Sequence, residues 1–250
     1  MVQLKSGAAL AIMRDAGRIT GEALLAAGEA VKPGITTAQL DDIVRREIER
    51  NGAKPSFLGY GGFPASACIS VNEEVIHGIP SRTRVLAEGD IVSIDVGAYY
   101  KGYHGDSANT FAVGKITDEA KCLIEGTKES FFAGVKMAMP GNRLGDIGSA
   151  VEAVAVRYGY SVVRDFVGHG VGKELHEDPN VPNYGTPGRG LRLVCGMVIA
   201  IEPMICRGNA AVRILGNDWT VVTRDGSLAA HYEHTVAITP DGPLLLTKVD

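Results

Sequence analysis

The sequence has few of the features that would place a protein outside a reducing, aqueous compartment. Its 250 residues include only four cysteines, at positions 68, 122, 195 and 206, and none of them forms a C-x-x-C pair. A chain of this length can bury a sizeable core without disulfides, so the cysteines predict reduced thiols and a cytoplasmic protein. The apolar run Ala8–Met13 is too short for a signal-peptide core, and no later run approaches the roughly 20 residues of a membrane span.

Neither sign of charge dominates the chain, and several well-known enzyme motifs are missing. Lys and Arg total 25 against 29 Asp and Glu, which leaves a net charge of −4 and predicts no nucleic-acid or membrane partner. The sequence contains no G-x-x-x-x-G-K-[ST] and no G-x-S-x-G, and the string His176-Glu177-Asp178-Pro179 breaks before a second His of H-E-x-x-H. These absences argue against a P-loop NTPase, a serine hydrolase of the nucleophile-elbow type and a zincin.

An internal echo is present at one constant offset. Residues 33–34, 52 and 89 recur as identical residues at 140–141, 159 and 196, each pair 107 positions apart. The apolar residues around Ile91–Ile94 match those around Val198–Ile201 at the same offset, and Asp95 matches Glu202. Such a gap-free echo predicts two halves with one supersecondary plan, about 1–113 and 114–250, related by a pseudo-twofold within a single catalytic domain.

Each half is predicted to open with two helices followed by short strands. Helical apolar spacing runs over 10–31 and 123–135, and second helices are predicted at 37–50 and 144–158, closed by Gly52 and Gly159. Strand-like runs follow at 68–71, 91–96, 103–113, 162–166, 198–201, 219–223 and 233–238. Short strands in turn-rich sequence predict an α+β protein whose antiparallel sheets are covered by helices.

Two aspartates stand on what is predicted to be one β-hairpin. A turn centred between Tyr100 and Lys101 would place Asp95 directly opposite Asp106, on the same face and about 5 Å apart. Like charges so placed repel each other unless water, a shared proton or a cation relieves the repulsion. A solvated face is an equally plausible interpretation of this pair taken alone.

Three further residues strengthen the case for a cation. Glu202 closes an apolar run, Glu233 is predicted to enter the last strand, and His169 lies in the glycine-rich string Gly168–Gly172. Each has an ordinary alternative as a solvent-facing strand end, an outward strand residue or a surface turn. Together, two Asp, two Glu and one His suit divalent ions such as Mn²⁺, Fe²⁺, Co²⁺ or Zn²⁺, and four carboxylates match two such ions in charge. The chemistry indicated is metal-assisted hydrolysis of an amide.

An ordered set of short motifs resembles one known family. The strings are Cys68-Ile-Ser-Val-Asn-Glu73, His77-Gly-Ile-Pro80, Asp90-Ile-Val-Ser-Ile-Asp95, Tyr103-His-Gly-Asp106, Gly168-His-Gly-Val-Gly172, Ile201-Glu-Pro-Met204 and Tyr232-Glu-His-Thr235. They span nearly the whole chain and are similar to those of type I methionine aminopeptidases in their short bacterial form. The resemblance implies the pita-bread fold, in which two pseudo-symmetric halves of antiparallel strands, covered by helices, surround a metal cleft.

The resemblance also implies the identity of the metal ligands. It assigns five of them, namely Asp95, Asp106, His169, Glu202 and Glu233, to two divalent ions of Co, Mn, Fe, Zn or Ni. In the family, the counterparts of Asp106 and Glu233 bridge the ions, those of His169 and Glu202 hold one ion, and that of Asp95 holds the other. The implied activity is removal of the initiator Met from nascent chains whose second residue is small.

Substrate-binding residues are implied by the same resemblance. His77 would lie near the substrate amide, His176 would hydrogen-bond the scissile carbonyl or its oxyanion, and Glu202 would shuttle a proton to the leaving amine. Without the resemblance, a simple turn and a solvated loop explain the two histidines as well. The implied wall of the Met pocket consists of Tyr60, Phe63, Cys68 and Trp219, which could otherwise be ordinary core residues. Leu175 replaces the family's usual Phe, and His231 replaces a frequent Gln.

Two other functions are compatible with this fold. A related hydrolase acting at proline, such as an aminopeptidase P or a prolidase, usually carries an additional N-terminal domain. A non-catalytic pita-bread protein that binds peptides or histones typically lacks metal ligands, whereas all five candidates are present here. The sequence therefore predicts a monomeric enzyme that acts on N-terminal methionyl peptides and nascent chains.

Overall fold

Helices and short strands alternate along the chain in a computed structural model that describes residues 1–249. The helices are α1 (Gly7–Ala30), α2 (Thr37–Arg50), α3 (Asp118–Met137) and α4 (Leu144–Arg157), and Tyr60–Gly62 forms a single 3₁₀ turn. The strands are β1 (Lys54–Pro55), β2 (Ala67–Val71), β3 (Glu74–Ile76), β4 (Ile91–Tyr100), β5 (Tyr103–Ala112), β6 (Ser161–Val162), β7 (Gly168–Gly170), β8 (Glu177–Val181), β9 (Val198–Ile201), β10 (Met204–Cys206), β11 (Val212–Ile214), β12 (Val221–Thr223), β13 (Ala229–His231), β14 (His234–Thr239) and β15 (Gly242–Leu245). The four predicted helices are confirmed.

Local sequence explains where the second helices begin and end. At the start of α2, the Thr36 hydroxyl accepts from the backbone N–H of Gln39, whose side chain accepts in turn from the Thr36 N–H. This capping box satisfies amide groups that a helix start leaves unpaired. Past the ends of α2 and α4, Gly52 and Gly159 adopt φ of 71° and 77°, a left-handed conformation that glycine takes without strain.

The pseudo-symmetry of the two halves is visible in their backbone. The bounds of α4 are those of α2 shifted by 107 positions, and the isolated bridges Thr36↔Val85 and Arg143↔Arg192 show the same offset. In the first half α1 and α2 cover a core with β2 and β4, and in the second α3 and α4 cover a core with β9 and β14. The result is the pita-bread fold expected from the motifs.

The strands form four antiparallel sheets, two of which frame the cleft. In the first half β4 is the central strand, and β5, β2 and β1 each pair with it, β2 along residues 92–96 and β1 at residues 98–99. In the second half the order is β15-β14-β9-β7-β8. The strand orders β13-β10-β6 and β11-β12-β3 complete the described sheets.

The predicted register of the β4–β5 hairpin is wrong by two residues. Asp95 pairs with Ala108, and Asp106 pairs with Gly97, because Lys101 and Gly102 form a two-residue turn with φ of 47° and 91°. A turn centred between residues 100 and 101 would put Tyr100 in the loop, whereas a loop of Lys101 and Gly102 places glycine at one of the two positions that need positive φ, which fits the twist of a hairpin. A shift by two preserves side-chain parity, so the two aspartates are diagonal neighbours on one face.

Three predicted strands are shorter than the sequence pattern indicated. The run at 162–166 contributes only β6, which ends at Val162, and Trp219 precedes β12. Glu233 lies in a two-residue break between β13 and β14 instead of inside the last strand. Such breaks release Glu233 from the alternation that a continuous ladder would impose.

Glycines allow helix α1 to pack closely against strand β5 and against the backbone at Leu246. A Cβ on Gly105 would lie 2.9 Å from the Gly17 Cα, and one on Gly17 would lie 2.2 Å from the Leu246 carbonyl oxygen. We expect Gly17→Ala to lower the free energy of unfolding by about 1–3 kcal/mol, because backbone must move to admit the methyl group. The measurement is a chemical denaturation curve.

A control for that experiment lies at the start of the same helix. A Cβ on Gly7 would meet no atom within 4 Å among the described residues, so Gly7→Ala should change stability little. Equal destabilisation by the two variants would contradict close packing at Gly17.

The described residues contain no helix that combines the length and apolar character needed to cross a bilayer. The four cysteines carry free thiols, with Cys68 and Cys206 buried.

Candidate metal centre and active site

One cavity of about 250 Å³ brings together the groups that the sequence predicted for the site. Its lining includes all five candidate ligands, both candidate histidines and the four residues of the predicted Met pocket: Asp95, Asp106, His169, Glu202, Glu233, His77, His176, Tyr60, Phe63, Cys68 and Trp219. A second cavity of about 360 Å³ shares His77, His169, His176 and Glu202 with the first. The cleft therefore has an apolar inner part and a polar outer part that meet at the histidines.

The two aspartates come from the hairpin of the first half. Asp95 lies on β4 and Asp106 on β5, and burial, followed by repulsion from Asp106, raises the pKa of Asp95 well above its usual value. The backbone of Asp106 is held by Thr235, whose hydroxyl accepts from the Asp106 N–H at 2.9 Å and donates to its carbonyl at 2.8 Å. This contact joins β5 to the second half of the molecule.

His169 lies on β7, and Glu202 directly follows the neighbouring strand β9 of the five-stranded sheet. The Nδ1 of His169 lies 2.9 Å from the Gly170 carbonyl, which can only accept, so Nδ1 carries the proton and Nε2 has a free lone pair. Nε2 lies 3.4 Å from Oε1 of Glu202 and 3.7 Å from Oδ2 of Asp106. An imidazole fixed through Nδ1 and directed at carboxylates through Nε2 has the geometry of a metal ligand.

Glu233 enters the site from the break between β13 and β14. Its backbone N–H donates to the Ala108 carbonyl at 2.9 Å, and its own carbonyl accepts from the Ser107 hydroxyl at 2.7 Å. These bonds add the segment around Glu233 to the edge of β5. The carboxylate of the second half is thereby held beside Asp106 of the first.

The cluster concentrates acidic groups in a dry environment. Burial raises the pKa of Asp95, Glu202 and Glu233 well above the usual range of a carboxyl group, and repulsion among the carboxylates adds to this effect. Burial likewise raises the pKa of Asp106 to about 7. Burial lowers the pKa of His169 to about 3, so the imidazole is neutral and able to ligate.

Buried atoms without partners show that the donor set fits divalent cations. Among residues 1–249, Oδ1 of Asp95, Oδ1 of Asp106 and Oε1 of Glu233 find no hydrogen-bond partner. Donor atoms of Asp106, His169 and Glu233 lie within 4.8 Å of one another. Buried polar groups are rarely left unsatisfied, and oxygen donors with one imidazole suit hard or borderline divalent ions.

The candidate substrate histidines flank the ligands. The His176 ring lies 4.1 Å from that of His169, and its Nδ1 is hydrogen-bonded to the Tyr60 hydroxyl at 2.7 Å. His77 lies on the other side, edge-on to Trp219 with ring centroids 6.3 Å apart. Burial lowers the pKa of His77 to about 4 and also lowers that of His176.

A buried ion pair anchors the loop that carries His176. Lys5 and Glu177 contact each other with side chains only 5% and 6% exposed, and the Glu177 carboxylate also accepts from the Lys173 N–H at 2.8 Å. The segment ahead of α1 is thus tied to the loop at 172–177. No sequence pattern near either residue predicts this contact.

An apolar wall closes the inner end of the cavity. Phe63 packs edge-on against Trp219 with ring centroids 5.1 Å apart, and Cys68 and Leu175 are buried beside them. Sequence reasoning missed Phe57, which also lines the cavity, and Asn183, whose side-chain amide donates to the Glu202 carbonyl at 2.9 Å. Thr235 was visible within a quoted motif, but its role at Asp106 depends on a contact between distant segments.

Two pseudo-symmetric halves around a buried carboxylate cluster define a metal-dependent hydrolase of the pita-bread class. The family model for metallopeptidase family M24 matches residues 11–240, so the chain belongs to that family. Within it, the chain is 59% identical to a methionine aminopeptidase from Clostridium acetobutylicum over 247 residues, covering 99% of both chains. It is 52% identical to methionine aminopeptidase 1 from Bacillus subtilis over 249 residues, covering 100% of both.

The fold matches solved structures equally well. A crystal structure of methionine aminopeptidase from Thermotoga maritima superposes with a TM-score of 0.98 at 44% identity, covering 100% of both chains. The type I methionine aminopeptidases indicated by the motifs are thus the relatives that sequence and fold both identify.

Proposed function

We propose that this protein is a dinuclear, metal-dependent methionine aminopeptidase that removes the initiator Met from nascent chains whose second residue is small. The observation that carries the proposal is that the carboxylate–imidazole cluster and an apolar, aromatic wall line one and the same cavity. A peptide bond held between them would have its first side chain in apolar surroundings and its carbonyl beside the ligands.

The five ligands divide between two ions in the proposed centre. Asp106 and Glu233 would bridge the ions, His169 and Glu202 would hold one of them, and Asp95 the other. Divalent ions supply Lewis acidity, which activates a water molecule and polarises the scissile carbonyl. Co, Mn, Fe, Zn or Ni would fit this donor set, and supply in the cell would decide among them.

The protein's own side chains have distinct roles in substrate binding and proton transfer. The inner wall of Tyr60, Phe63, Cys68 and Trp219 receives the unbranched Met side chain, since aromatic rings make favourable contacts with a thioether. His77 lies near the substrate amide, and His176 donates to the carbonyl oxygen as negative charge develops there. Glu202 passes a proton to the leaving amine.

The outer cavity accounts for the preference at the second residue. It is shared by the two histidines and two of the ligands, so the residue after Met would sit in a crowded, polar passage. A small second side chain fits such a passage, and a large one would displace the reacting bond from the ligands.

The Tyr60 hydroxyl is expected to contribute to catalysis, in addition to the contact of its ring with the Met side chain. His176 Nδ1 and the Tyr60 hydroxyl lie 2.7 Å apart, and in the proposed mechanism the hydroxyl donates, which leaves the ring proton on Nε2 for the carbonyl oxygen. Tyr60→Phe retains the ring and should lower kcat by about fivefold, which corresponds to roughly 1 kcal/mol of lost hydrogen bonding, with KM unchanged. Steady-state kinetics on Met-Ala-Ser measure both.

The control for Tyr60→Phe is a tyrosine away from the cleft. Tyr184 has a solvent-side hydroxyl 3.5 Å from the Arg164 carbonyl, so Tyr184→Phe should leave both constants alone. A raised KM with normal kcat in Tyr60→Phe would show that its hydroxyl serves only to bind substrate.

A direct test uses purified protein loaded with Mn²⁺ or Co²⁺. Release of Met from Met-Ala-Ser, with no cleavage of X-Pro peptides, is the expected result. Preferential cleavage at proline would favour the aminopeptidase P or prolidase activity instead. Tight peptide binding without release by the metal-loaded protein would favour a non-catalytic binding role.

The cellular setting is part of the same proposal. Every proposed ligand and wall residue comes from one chain, which supports action as a monomer. Four free cysteines are typical of a reducing compartment, which supports a cytoplasmic location, and a net charge of −4 supports peptides over nucleic acid as partners.

A further inference from the structure

His231 is a buried imidazole that the five-ligand centre does not use. It lies at the end of β13 with 2% of its surface exposed, and its Nε2 finds no hydrogen-bond partner among residues 1–249. A buried N–H or lone pair without a partner is energetically costly, so such an atom calls for an explanation.

The backbone at His231 is held firmly in place. Its N–H donates to the Thr110 hydroxyl at 2.9 Å, and its carbonyl accepts from the same hydroxyl at 2.9 Å. On the other side, His231 pairs with Met204 across β10 and β13. Because Thr110 and Met204 hold the backbone of His231, its imidazole lies near the carboxylates of Glu202 and Glu233.

The distances around Nε2 are those of ligands around one ion. Nε2 lies 3.9 Å from Oε2 of Glu202 and 3.9 Å from Oε2 of Glu233, too far for a hydrogen bond to either. Two donors each about 2.1 Å from a shared ion can be separated by up to ~4.2 Å. Donor atoms of all three residues lie within 4.8 Å of one another.

We propose that His231 is an additional ligand of the metal centre, binding through Nε2 the ion held between Glu202 and Glu233. This inference rests on the proposed function, since it requires that the cluster binds metal. His169 approaches Glu202 through the opposite oxygen, Oε1. The donor atoms of His169 group with those of Asp106 and Glu233, so His231 would add a second imidazole to the dinuclear centre, beside Glu202 and Glu233.

A second imidazole changes which metals the site prefers. Imidazole nitrogen suits Zn²⁺, Co²⁺ and Ni²⁺, whereas an oxygen-only set is closer to what Mn²⁺ and Mg²⁺ prefer. His231 should therefore raise affinity for Co²⁺ and Zn²⁺ more than affinity for Mn²⁺.

The test compares the full chain with His231→Gln, which retains similar bulk and removes the imidazole. After removal of metal, both proteins are titrated calorimetrically with Co²⁺, Zn²⁺ and Mn²⁺. We expect the Co²⁺ and Zn²⁺ affinities of His231→Gln to fall by about tenfold or more, which is the usual effect of removing a group that supports a metal site. The Mn²⁺ affinity should fall less. His104→Gln is the matched control, because His104 bonds Ser56 through Nδ1 at 2.8 Å and lies outside the cluster.

X-ray absorption on the Co²⁺-loaded wild-type protein provides a test that needs no variant. Two imidazole donors in the dinuclear centre, one more than the five-ligand set provides, support the inference, and a single imidazole donor overturns it. Equal affinities in His231→Gln and wild type for all three metals overturn it as well.

The failures of the two proposals can be told apart. If the wild-type protein binds none of the metals, the proposed function and the role of His231 fail together. If it binds metal and releases Met from Met-Ala-Ser while His231→Gln binds the same ions equally well, only the role of His231 fails.

Discussion

Asp106→Asn is expected to reduce Met release from Met-Ala-Ser by roughly 10³-fold or more, because a proposed bridging carboxylate becomes a neutral amide. Asp106 is buried at the junction of the two halves, and its Oδ1 finds no partner within residues 1–249. Bound metal measured by atomic emission should fall in parallel with activity.

The fold should survive this substitution. Asn has the shape of Asp, the Thr235 contacts of residue 106 involve only backbone atoms, and one of several mutually repelling carboxylates is removed. Asp42→Asn, on the exposed face of α2, is the control and should keep full activity and metal content. An Asp106→Asn protein that retains metal and activity would contradict the bridging role. If the wild-type protein shows no catalysis and Asp106→Asn binds peptide as tightly as the wild type, the result would favour a binding protein.

Removal of metal with a chelator is expected to lower the melting temperature substantially. Ions at 100 times their dissociation constant stabilise a folded protein by about 2.7 kcal/mol, which corresponds to roughly 5–10 °C for a chain of this size. Without ions, the buried carboxylates again face one another. Calorimetry before and after chelation measures the change.

The metal-free protein should also become less stable as pH rises from about 6.5 to 8.5. Burial raises the pKa of Asp106 to about 7 and that of the other three carboxyl groups well above normal, so the folded state binds protons that the unfolded state has already lost. Stability from a raised pKa is fully present below the unfolded pKa and is lost as pH rises through the folded one.

The pH window is chosen to exclude the histidines. Burial lowers the pKa of His169 and His231 to about 3, so their contribution falls only when pH drops below about 6.5, where the unfolded chain takes up protons. The metal-loaded protein should not show the downward slope above pH 6.5, since ions bind deprotonated carboxylates. Melting temperatures of the metal-free protein that are flat or rising with pH would contradict this account, and Asp106→Asn should reduce the slope.

The candidate site was largely predictable because the types of its side chains already indicate metal binding. Four carboxylates and one histidine at strand ends suggested a metal site, and the structure brings those five residues to one cavity. The diagonal placement of Asp95 and Asp106 was not predictable from the sequence pattern, because it depends on whether residues 100–101 or residues 101–102 form the two-residue loop. The prediction that the two aspartates share one face still held, because a register shift of two residues leaves both side chains on the same face of the sheet.

Other features depended on contacts between distant segments. Nothing near Tyr60 in the chain indicates a hydrogen bond to His176, and nothing near Lys5 indicates a buried pair with Glu177. His231 stood out in the sequence only as a departure from a family pattern, with no physical account. Its meaning follows from the two carboxylates 3.9 Å away.

By itself, the sequence determined the four helices, the antiparallel character of the sheets, the duplicated plan and the identity of the acidic groups. These follow from local periodicity, capping and turn residues, which act over a few neighbouring positions. Only the tertiary structure decided the hairpin register, the direction of His169 Nε2, the partners of His176 and the placement of His231. Those features depend on how the two halves pack against each other. At their interface, residues that are far apart in the sequence lie within a few ångströms, and these short distances decide what can bind.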